Sequence, residues 1–466
     1  MTELTPRFDD SAPLYEQLYR YIVGQIRAGA LREGEKLPSK RRLAEHLGLS
    51  LTTVEKSYGL LTAEGYLEAA PRSGYRVTPA LTMIPTEPPP PAPEREPEEA
   101  GEETLDDCFS TSAVDTRLFP YATWARLSKE AVYENPALLQ RGDGQGDWAL
   151  RGTLASFLHQ YRGVNCTPEQ VVLGAGMEAL MWILLQLLPD AVFALEDPGY
   201  AALRLLLENL RRPYAPVPVD ALGMDPAALR ACGADVAYVT PSHQFPLGIT
   251  TPVGRRAELL RWAYDAPGRY LIEDDYDSEF RYASRPIPAM QGLDEGGRVI
   301  YVGTFSRTLA PSIRVAYLIL PPGLLRRYRE KFGHGAATVS RFEQEALRRF
   351  LASGSYSRHL RRVGSLYRRR RDALEQALSG WGEVRGSDAG LHLLFTLPGR
   401  REEELKRRAA QAGYRVRGLG EYCQRAAPRP GTLVLGFAGL PEEKAPRAVA
   451  DLRRSFLEDR AGEIPS

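Results

Sequence analysis

At 466 residues, 43% hydrophobic and 26% charged, the chain has the composition of a soluble globular protein with length for two to four domains. A formal charge of +1 excludes a global pull toward nucleic acid or membrane, so any basic footprint must be local. The four cysteines (Cys108, Cys166, Cys232, Cys423) are too widely spaced for a disulfide framework and read as reduced thiols, and the six histidines show no metal-ligand spacing.

The first ten residues are polar and acidic, so no signal peptide is expected. From Tyr15 to Ile26 apolar residues recur at helical spacing. A second helix is predicted from Ser39 to Leu47 with Ser39 as its cap, then a tight turn at Gly48-Leu49 and a third helix capped by Ser50. Helix, short glycine turn and helix are the pattern of a helix-turn-helix. Thr52, Thr53, Lys56 and Ser57 fall on the first turns of the third helix, where base edges and phosphates would be met. Gly65-Tyr66-Leu67 and Gly74-Tyr75-Arg76-Val77 flank Pro71-Arg72-Ser73, which predicts a hairpin wing with Arg72 at its tip. Residues 1–78 carry 11 basic and 10 acidic side chains, but the basic ones cluster at Lys36, Lys40, Arg41 and Arg42 and again at Arg72 and Arg76.

The stretch from PLYEQLYRYIVGQI to SGYRV resembles the GntR-type winged helix over its whole length, with LPS-x-R, TV and SGY in order. The resemblance implies a domain over residues 10–78 that binds double-stranded DNA, with Arg41, Thr52, Thr53 and Gly74 facing it; the basic pattern adds Lys40, Lys56 and Arg72. Leu51 departs from the family, which often has arginine there, a contact whose loss costs ~1–3 kcal/mol of base discrimination.

Residues 79–105 read as a linker, since TEPPPPAPEREPEEAGEE is nearly all proline, acid and small residues and cannot bury apolar surface. Its proline-rich part would span roughly 40 Å as polyproline II.

From residue 106 to 466 short apolar runs (VVLGAG, AVFALED, VAYVTPS, RYLIEDD, RVIYVGT, VAYLILP) alternate with helical patterns, which predicts buried parallel strands of an α/β domain. Leu180 to Leu195 is the most apolar stretch, yet Gln186, Pro189 and Asp190 interrupt it and no bilayer span is expected. Arg341 to Leu378 reads as two long arginine-rich helices, and the tail returns to mixed α+β with LHLLFTL and TLVLGFA. The carboxylates of Glu273-Asp274-Asp275-Tyr276-Asp277 follow a buried strand, where ligands gather in α/β folds. Gly174-Ala175-Gly176 opens a helix and can cradle an anion on backbone N–H groups. Each feature alone is a weak signal, and solvated loop acids explain the first about as well.

Together GDGQGDWALR, ALEDPGY, VTPSHQFPLG, IEDDYDSEFRY and YVGTFSRTLAPSIR resemble, from about 110 to 455, the fold-type I aminotransferase domain of MocR-type regulators, the GntR subgroup with this domain order. The expected fold is therefore multidomain: a winged helix-turn-helix (α+β) joined to an α/β pyridoxal phosphate-dependent transferase-like domain with a smaller α+β part. The resemblance implies that Asp274 pairs with the pyridine nitrogen, Tyr276 bonds the ring hydroxyl and Tyr200 stacks on the ring. Gly176, Met177, Thr304, Ser306 and Arg314 would surround the phosphate, with Arg314 as its cation.

The family pattern T-F-S-K-T-L is here Thr304-Phe305-Ser306-Arg307-Thr308-Leu309, so Arg307 replaces the Schiff-base lysine. A guanidinium stays protonated and is a poor nucleophile, and the same lysine shuttles the proton in transamination, so both roles are lost. Only seven of the 60 basic residues are lysine, so arginine bias offers an ordinary origin for the change without restoring the chemistry. The residues leave open non-covalent pyridoxal phosphate, pyridoxamine phosphate, another anion, or no ligand. The strand arginine that clamps a substrate carboxylate in aminotransferases aligns near Val434, with Arg415 or Arg417 as substitutes. The whole reading is a cytoplasmic homodimeric transcription regulator that senses a small effector, a B6 vitamer or an amino acid, without transaminase activity. An active aminotransferase with a DNA-binding head and a constitutive DNA-binding scaffold are the alternatives.

Overall fold

The computed structural model describes residues 4–70, 74–78, 105–282 and 287–457. The chain divides into two compact units, Met1–Glu102 and Glu103–Ser466.

In the first unit, helices α1 (Leu14–Arg27), α2 (Lys40–Leu47) and α3 (Leu51–Ala63) precede an antiparallel hairpin of β1 (Leu67–Ala70) and β2 (Gly74–Val77). The predicted caps form: Ser39 accepts from the Arg42 N–H and Ser50 from the Thr53 N–H, each satisfying a donor that the first turn leaves unpaired. Gly48 ends α2 at φ +65°, a conformation that costs glycine nothing. Leu18, Ile22, Val54, Tyr58 and Leu61 are wholly buried, each contributing about 1.5–3 kcal/mol by leaving water. Ser57 joins them rather than the DNA-facing surface, because it lies three residues after Val54 on the inward stripe of α3. The linker and Arg72 lie outside the described residues.

The second unit opens with α4 (Tyr121–Glu134), α5 (Trp148–Arg162), β3 (Val171–Gly174), α6 (Met177–Leu187), β4 (Phe193–Asp197), α7 (Ala201–Asn209), β5 (Tyr214–Asp220) and β6 (Gly223–Met224). It continues through α8 (Pro226–Ala231), β7 (Val236–Val239), α9 (Val253–Tyr264), β8 (Tyr270–Asp275), β9 (Val299–Thr304), β10 (Ala316–Ile319) and α10 (Pro322–Phe332). Together the strands form an eight-stranded sheet of order β3-β10-β9-β8-β7-β4-β5-β6. The run β9-β8-β7-β4-β5 is parallel, as the buried apolar runs predict. VAYLILP departs from that expectation: β10 runs antiparallel to both β9 and β3. The segment 305–315 carries no helix, and a parallel partner needs a longer crossover.

The long helices follow as α11 (Arg341–Ala352) and α12 (Ser355–Leu378). The tail then builds a smaller antiparallel sheet from β11 (Glu383–Arg385), β12 (His392–Thr396), β13 (Arg417–Gly418) and β14 (Thr432–Gly436), in the order β11-β12-β14-β13. Helices α13 (Glu402–Gln411) and α14 (Ala445–Leu457) belong to this part, whose core joins Tyr367 and Leu374 of α12 to Leu393, Phe395, Leu433 and Leu435 of the sheet. Among the described residues no helix is long and apolar enough to cross a membrane.

Candidate functional site

A cavity of about 440 Å³ opens where β7, β8 and β9 end, the place where an α/β sheet presents its loops. Met177, Tyr200, Asp274, Tyr276, Thr304, Ser306, Arg307 and Arg314 all line it. Gly176 stands just behind: at φ +92° it caps α6, and a Cβ on it would lie 2.3 Å from the Arg314 guanidinium. All nine residues expected around the ring and phosphate thus come together, from sequence positions 176 to 314.

Asp274, the penultimate residue of β8, is almost fully buried. Its Oδ2 accepts from the Tyr238 hydroxyl, while its Oδ1 is buried with no hydrogen-bond partner among the described residues. Burial pushes its carboxyl up to about 7, with Asp275 and Asp277 adding negative charge nearby and the Tyr238 hydroxyl opposing. Asp275 behaves oppositely: burial would raise it, but Arg162 outweighs that by charge and by a 2.7 Å hydrogen bond and holds it low. A buried acceptor lacking a donor is costly, and Asp274 lines the cavity with that acceptor unmet. Tyr200 is 40% exposed and forms a cavity wall, with its ring edge-on to Phe245. Tyr276 differs from expectation in one respect: its hydroxyl is already bonded, donating to the His243 carbonyl at 3.0 Å.

Thr304 at the end of β9 and Ser306 just beyond it fold together, the Ser306 N–H donating to Thr304 Oγ1 at 3.1 Å. Arg314 pairs with Glu178 at 2.5 Å, and Glu178 also lines the cavity. The Glu178 carboxyl is held low even though burial opposes this, through its own backbone N–H and Arg314. Arg307 donates to the Thr111 carbonyl at 2.6 Å. Among the described residues no lysine lines the cavity. Arg417 does, with its side chain 55% exposed and bonded to Glu421 at 2.9 Å, whereas Arg415 is not among the lining residues. Val434 is buried in β14, and Arg417 is its register partner across β13.

Several contributors escaped the sequence reading. Glu178 was hidden beside the glycine cradle, and Thr111 lies far from every motif. Tyr422 reaches the wall because the Asp197 carboxylate accepts the N–H groups of Gln424, Arg425 and Ala426, and the Tyr422 carbonyl accepts from Gly199. Asp197 belongs to ALEDPGY, so that motif ties the smaller sheet's loop to the cavity. In GDGQGDWALR the acids are committed elsewhere, Asp143 to Arg151 and Asp147 to Arg341, each at 2.8 Å.

In the first unit Arg41, Thr52 and Lys56 are exposed and Thr53 is half-buried. Ser50 Oγ bonds both threonine hydroxyls, at 2.9 Å to Thr52 and 2.7 Å to Thr53. Lys40 pairs with Glu55 at 3.7 Å, and Lys56 stands 3.9 Å over the Tyr15 ring. Gly74 begins β2 at φ +88°, and Arg76 is engaged by the Gly34 carbonyl at 2.9 Å.

Residues 14–77 match the family of bacterial regulatory proteins of the gntR family. The chain is 38% identical over 463 residues to the uncharacterized HTH-type transcriptional regulator YdeL of Bacillus subtilis, covering 95% of this chain and 97% of that one. It is 33% identical to the probable rhizopine catabolism regulatory protein MocR of Rhizobium meliloti, over 98% and 97% of the two chains. Identity is 32% to the pyridoxine biosynthesis regulator PdxR of Corynebacterium glutamicum, over 96% and 97%. Among solved structures, an archaeal alanine:glyoxylate aminotransferase superposes with a TM-score of 0.67 at 26% identity, covering 74% of this chain and 89% of that one.

Proposed function

Since the chain belongs to the MocR-type regulators, which join a GntR-family DNA-binding head to an aminotransferase-like body, we propose that its body senses pyridoxal phosphate without bonding to it covalently. The observation that carries this reading is the pairing of two features in one cavity: a buried Asp274 oxygen without a partner among the described residues, and Arg307, with no lysine among the described lining residues.

The residues fit such a ligand. Asp274 Oδ1 would accept a hydrogen bond from the protonated ring nitrogen, and Tyr200 would cover a ring face. Gly176 and Met177 at the start of α6, with Thr304, Ser306 and Arg314, would hold the phosphate. Tyr276, whose proton is given to His243, would offer the ring hydroxyl a lone pair. Arg307, half-buried and tethered to Thr111, would add a fixed cation beside the ring. When bound, the cofactor supplies an aldehyde and an electron-withdrawing ring. A guanidinium cannot act as the amine nucleophile or proton shuttle that would put that ring to work, so the chain's residues bind and orient it. Arg417 would receive the carboxylate of an amino-acid effector.

In this reading two chains associate through their bodies, and the ligand shifts how the paired heads engage two half-sites on double-stranded DNA. Footprinting of an operator fragment by the full chain, with and without saturating pyridoxal phosphate, tests it. A ligand-dependent change in affinity or footprint supports sensing. An unchanged footprint, with occupancy verified by absorbance, leaves a constitutive DNA-binding scaffold instead.

A further inference from the structure

The end of β8 and the segment after it serve two cavities. Asp274 and Tyr276 line the one already described, whereas Ser278, Glu279, Phe280, Arg281 and Tyr282 line a second of about 450 Å³. The two share no lining residue among the described ones, and the second lies within the roughly 300–1,000 Å³ of small-molecule sites. Helices α5 and α12 complete its wall. On α12 the lining residues Ser357, Arg361, Gly364 and Arg368 are spaced four, three and four apart and so share one helix face.

Several polar groups of this cavity are already engaged. Arg162 is held by Asp275, the Tyr161 hydroxyl by Ser357 and the Tyr282 hydroxyl by the Gly390 carbonyl, while the Arg281 guanidinium reaches the Ser242 carbonyl. Glu279, Arg361 and Arg368 differ. Glu279 Oε2 is buried with no hydrogen-bond partner among the described residues. Burial pushes its carboxyl up to about 8, with Asp275 adding to the effect and its own backbone N–H and Arg162 opposing it. Arg361 and Arg368 are exposed, and their side chains make no hydrogen bond or ion pair among the described residues. Gly364 adds shape. Inside a 24-residue helix glycine is less favourable than alanine, yet a Cβ here would meet nothing within 4 Å. Packing within the chain therefore does not demand it, and its missing side chain leaves room in the cavity wall. The remaining wall is largely aromatic: Phe157 and Tyr161, stacked with centroids 4.5 Å apart, with Tyr282 and Tyr317.

We propose that this second cavity binds an aromatic α-amino acid as its zwitterion, with the carboxylate on Arg361 and Arg368, the ammonium on Glu279 Oε2 and the ring among the aromatic side chains. A plain carboxylate would use the guanidiniums but leave the buried oxygen unmet. An amine alone would meet that oxygen beside two cations with no counter-charge. A single water, of roughly 30 Å³, meets the oxygen but leaves most of the cavity unfilled. The segment that holds this ligand also carries Asp274 and Tyr276, which gives occupancy a physical route to the first cavity. The site stands whether or not pyridoxal phosphate is the effector.

The full chain is titrated calorimetrically with L-phenylalanine, with 3-phenylpropanoate, which lacks the ammonium, and with phenethylamine, which lacks the carboxylate. Saturable uptake of one L-phenylalanine per chain is expected. Glu279→Gln should weaken L-phenylalanine and phenethylamine by roughly tenfold or more and spare 3-phenylpropanoate. Arg361→Ala combined with Arg368→Ala should weaken L-phenylalanine and 3-phenylpropanoate by a similar factor and spare phenethylamine. Gly364→Leu fills the wall from a helix position that favours leucine, and should abolish binding of all three with unchanged circular dichroism. Absence of saturable L-phenylalanine uptake by the folded native chain overturns the proposal. So does uptake that ignores all of these substitutions, which would place the ligand elsewhere, the first cavity included. If Glu279→Gln does not fold, Gly364→Leu and the arginine pair decide.

Discussion

Arg307 reaches across 196 residues to donate a 2.6 Å hydrogen bond to the carbonyl of Thr111, so the cation in the loop after β9 is fixed to the beginning of the body. Native chain titrated with pyridoxal phosphate should show a saturable absorbance change that dialysis reverses and borohydride does not trap. Arg307→Lys restores a nucleophile in the same loop and should yield a trappable adduct, read by mass spectrometry. Trapping in the native chain would refute the non-covalent reading.

Glu178 occupies the guanidinium of Arg314 at 2.5 Å, the same group that would receive a phosphate. A phosphate must displace a like-charged carboxylate. Glu178→Gln removes that competition and should tighten pyridoxal phosphate binding by roughly tenfold, the equivalent of ~1.4 kcal/mol. Affinity for pyridoxal, which lacks the phosphate, should not change. Parallel fluorescence titrations of the two ligands check this, and equal effects on both would contradict it.

Asp274 carries a testable pH signature. Its carboxyl ionises at an ordinary 3.8 in the unfolded chain and at about 7 when folded. Between those values the folded state holds a proton that the unfolded state has released, so this group's contribution to stability falls as pH rises from about 4 to 7 and is level above. Asp274→Asn keeps an acceptor for Tyr238 and has no proton to lose. Its stability relative to the native chain should therefore improve across that window, by up to about 4 kcal/mol, while pyridoxal phosphate binding falls sharply. Urea denaturation at several pH values provides the measurement.

The same contrast shows what the sequence could reveal. Asp274, Tyr200 and Arg314 were legible because each sits in a motif beside a buried strand, and strand ends in an α/β sheet converge. The caps Ser39 and Ser50 were legible because a helix start has local donors to satisfy. Glu178, Thr111 and Tyr422 were not, since their roles depend on which distant segments meet. Arg417 lay between: the sequence offered two arginines, and the β13–β14 register opposite Val434 places Arg417 at the cavity. Ser57 was misplaced because polarity was read where helical phase decided.

On the DNA-binding head, Arg41 and Thr52 are exposed on α2 and α3 respectively, and they should fail differently. A cation that meets phosphate contributes equally to all sequences. Arg41→Ala should weaken specific and non-specific binding together and lower the salt dependence, log K against log salt, by about one unit. Thr52→Val keeps the shape but removes a hydroxyl that can meet a base edge, and should change sequence preference while leaving the salt slope intact. Fluorescence anisotropy at several salt concentrations distinguishes the two.

Asp115 joins Arg117 to Arg370 of α12, at 2.8 Å and 2.5 Å, and both Asp115 and Arg370 are buried. The Arg117 hydrogen bond, with Arg370 helping against burial, holds the Asp115 carboxyl well below its ordinary value. A depressed carboxyl stabilises the fold above the unfolded value near 3.8 and loses that contribution as pH falls below it. Asp115→Ala leaves the Arg370 charge buried without its carboxylate and should cost about 3–5 kcal/mol at neutral pH. Replacing both, Asp115→Ala with Arg370→Met, removes the stranded charge and should recover much of that loss. Arg370 also donates to the Ala438 carbonyl, so recovery should be incomplete. Chemical denaturation of the native chain, both single variants and the double variant gives the coupling energy. A double variant no more stable than Asp115→Ala would mean that packing, not charge, makes this position matter.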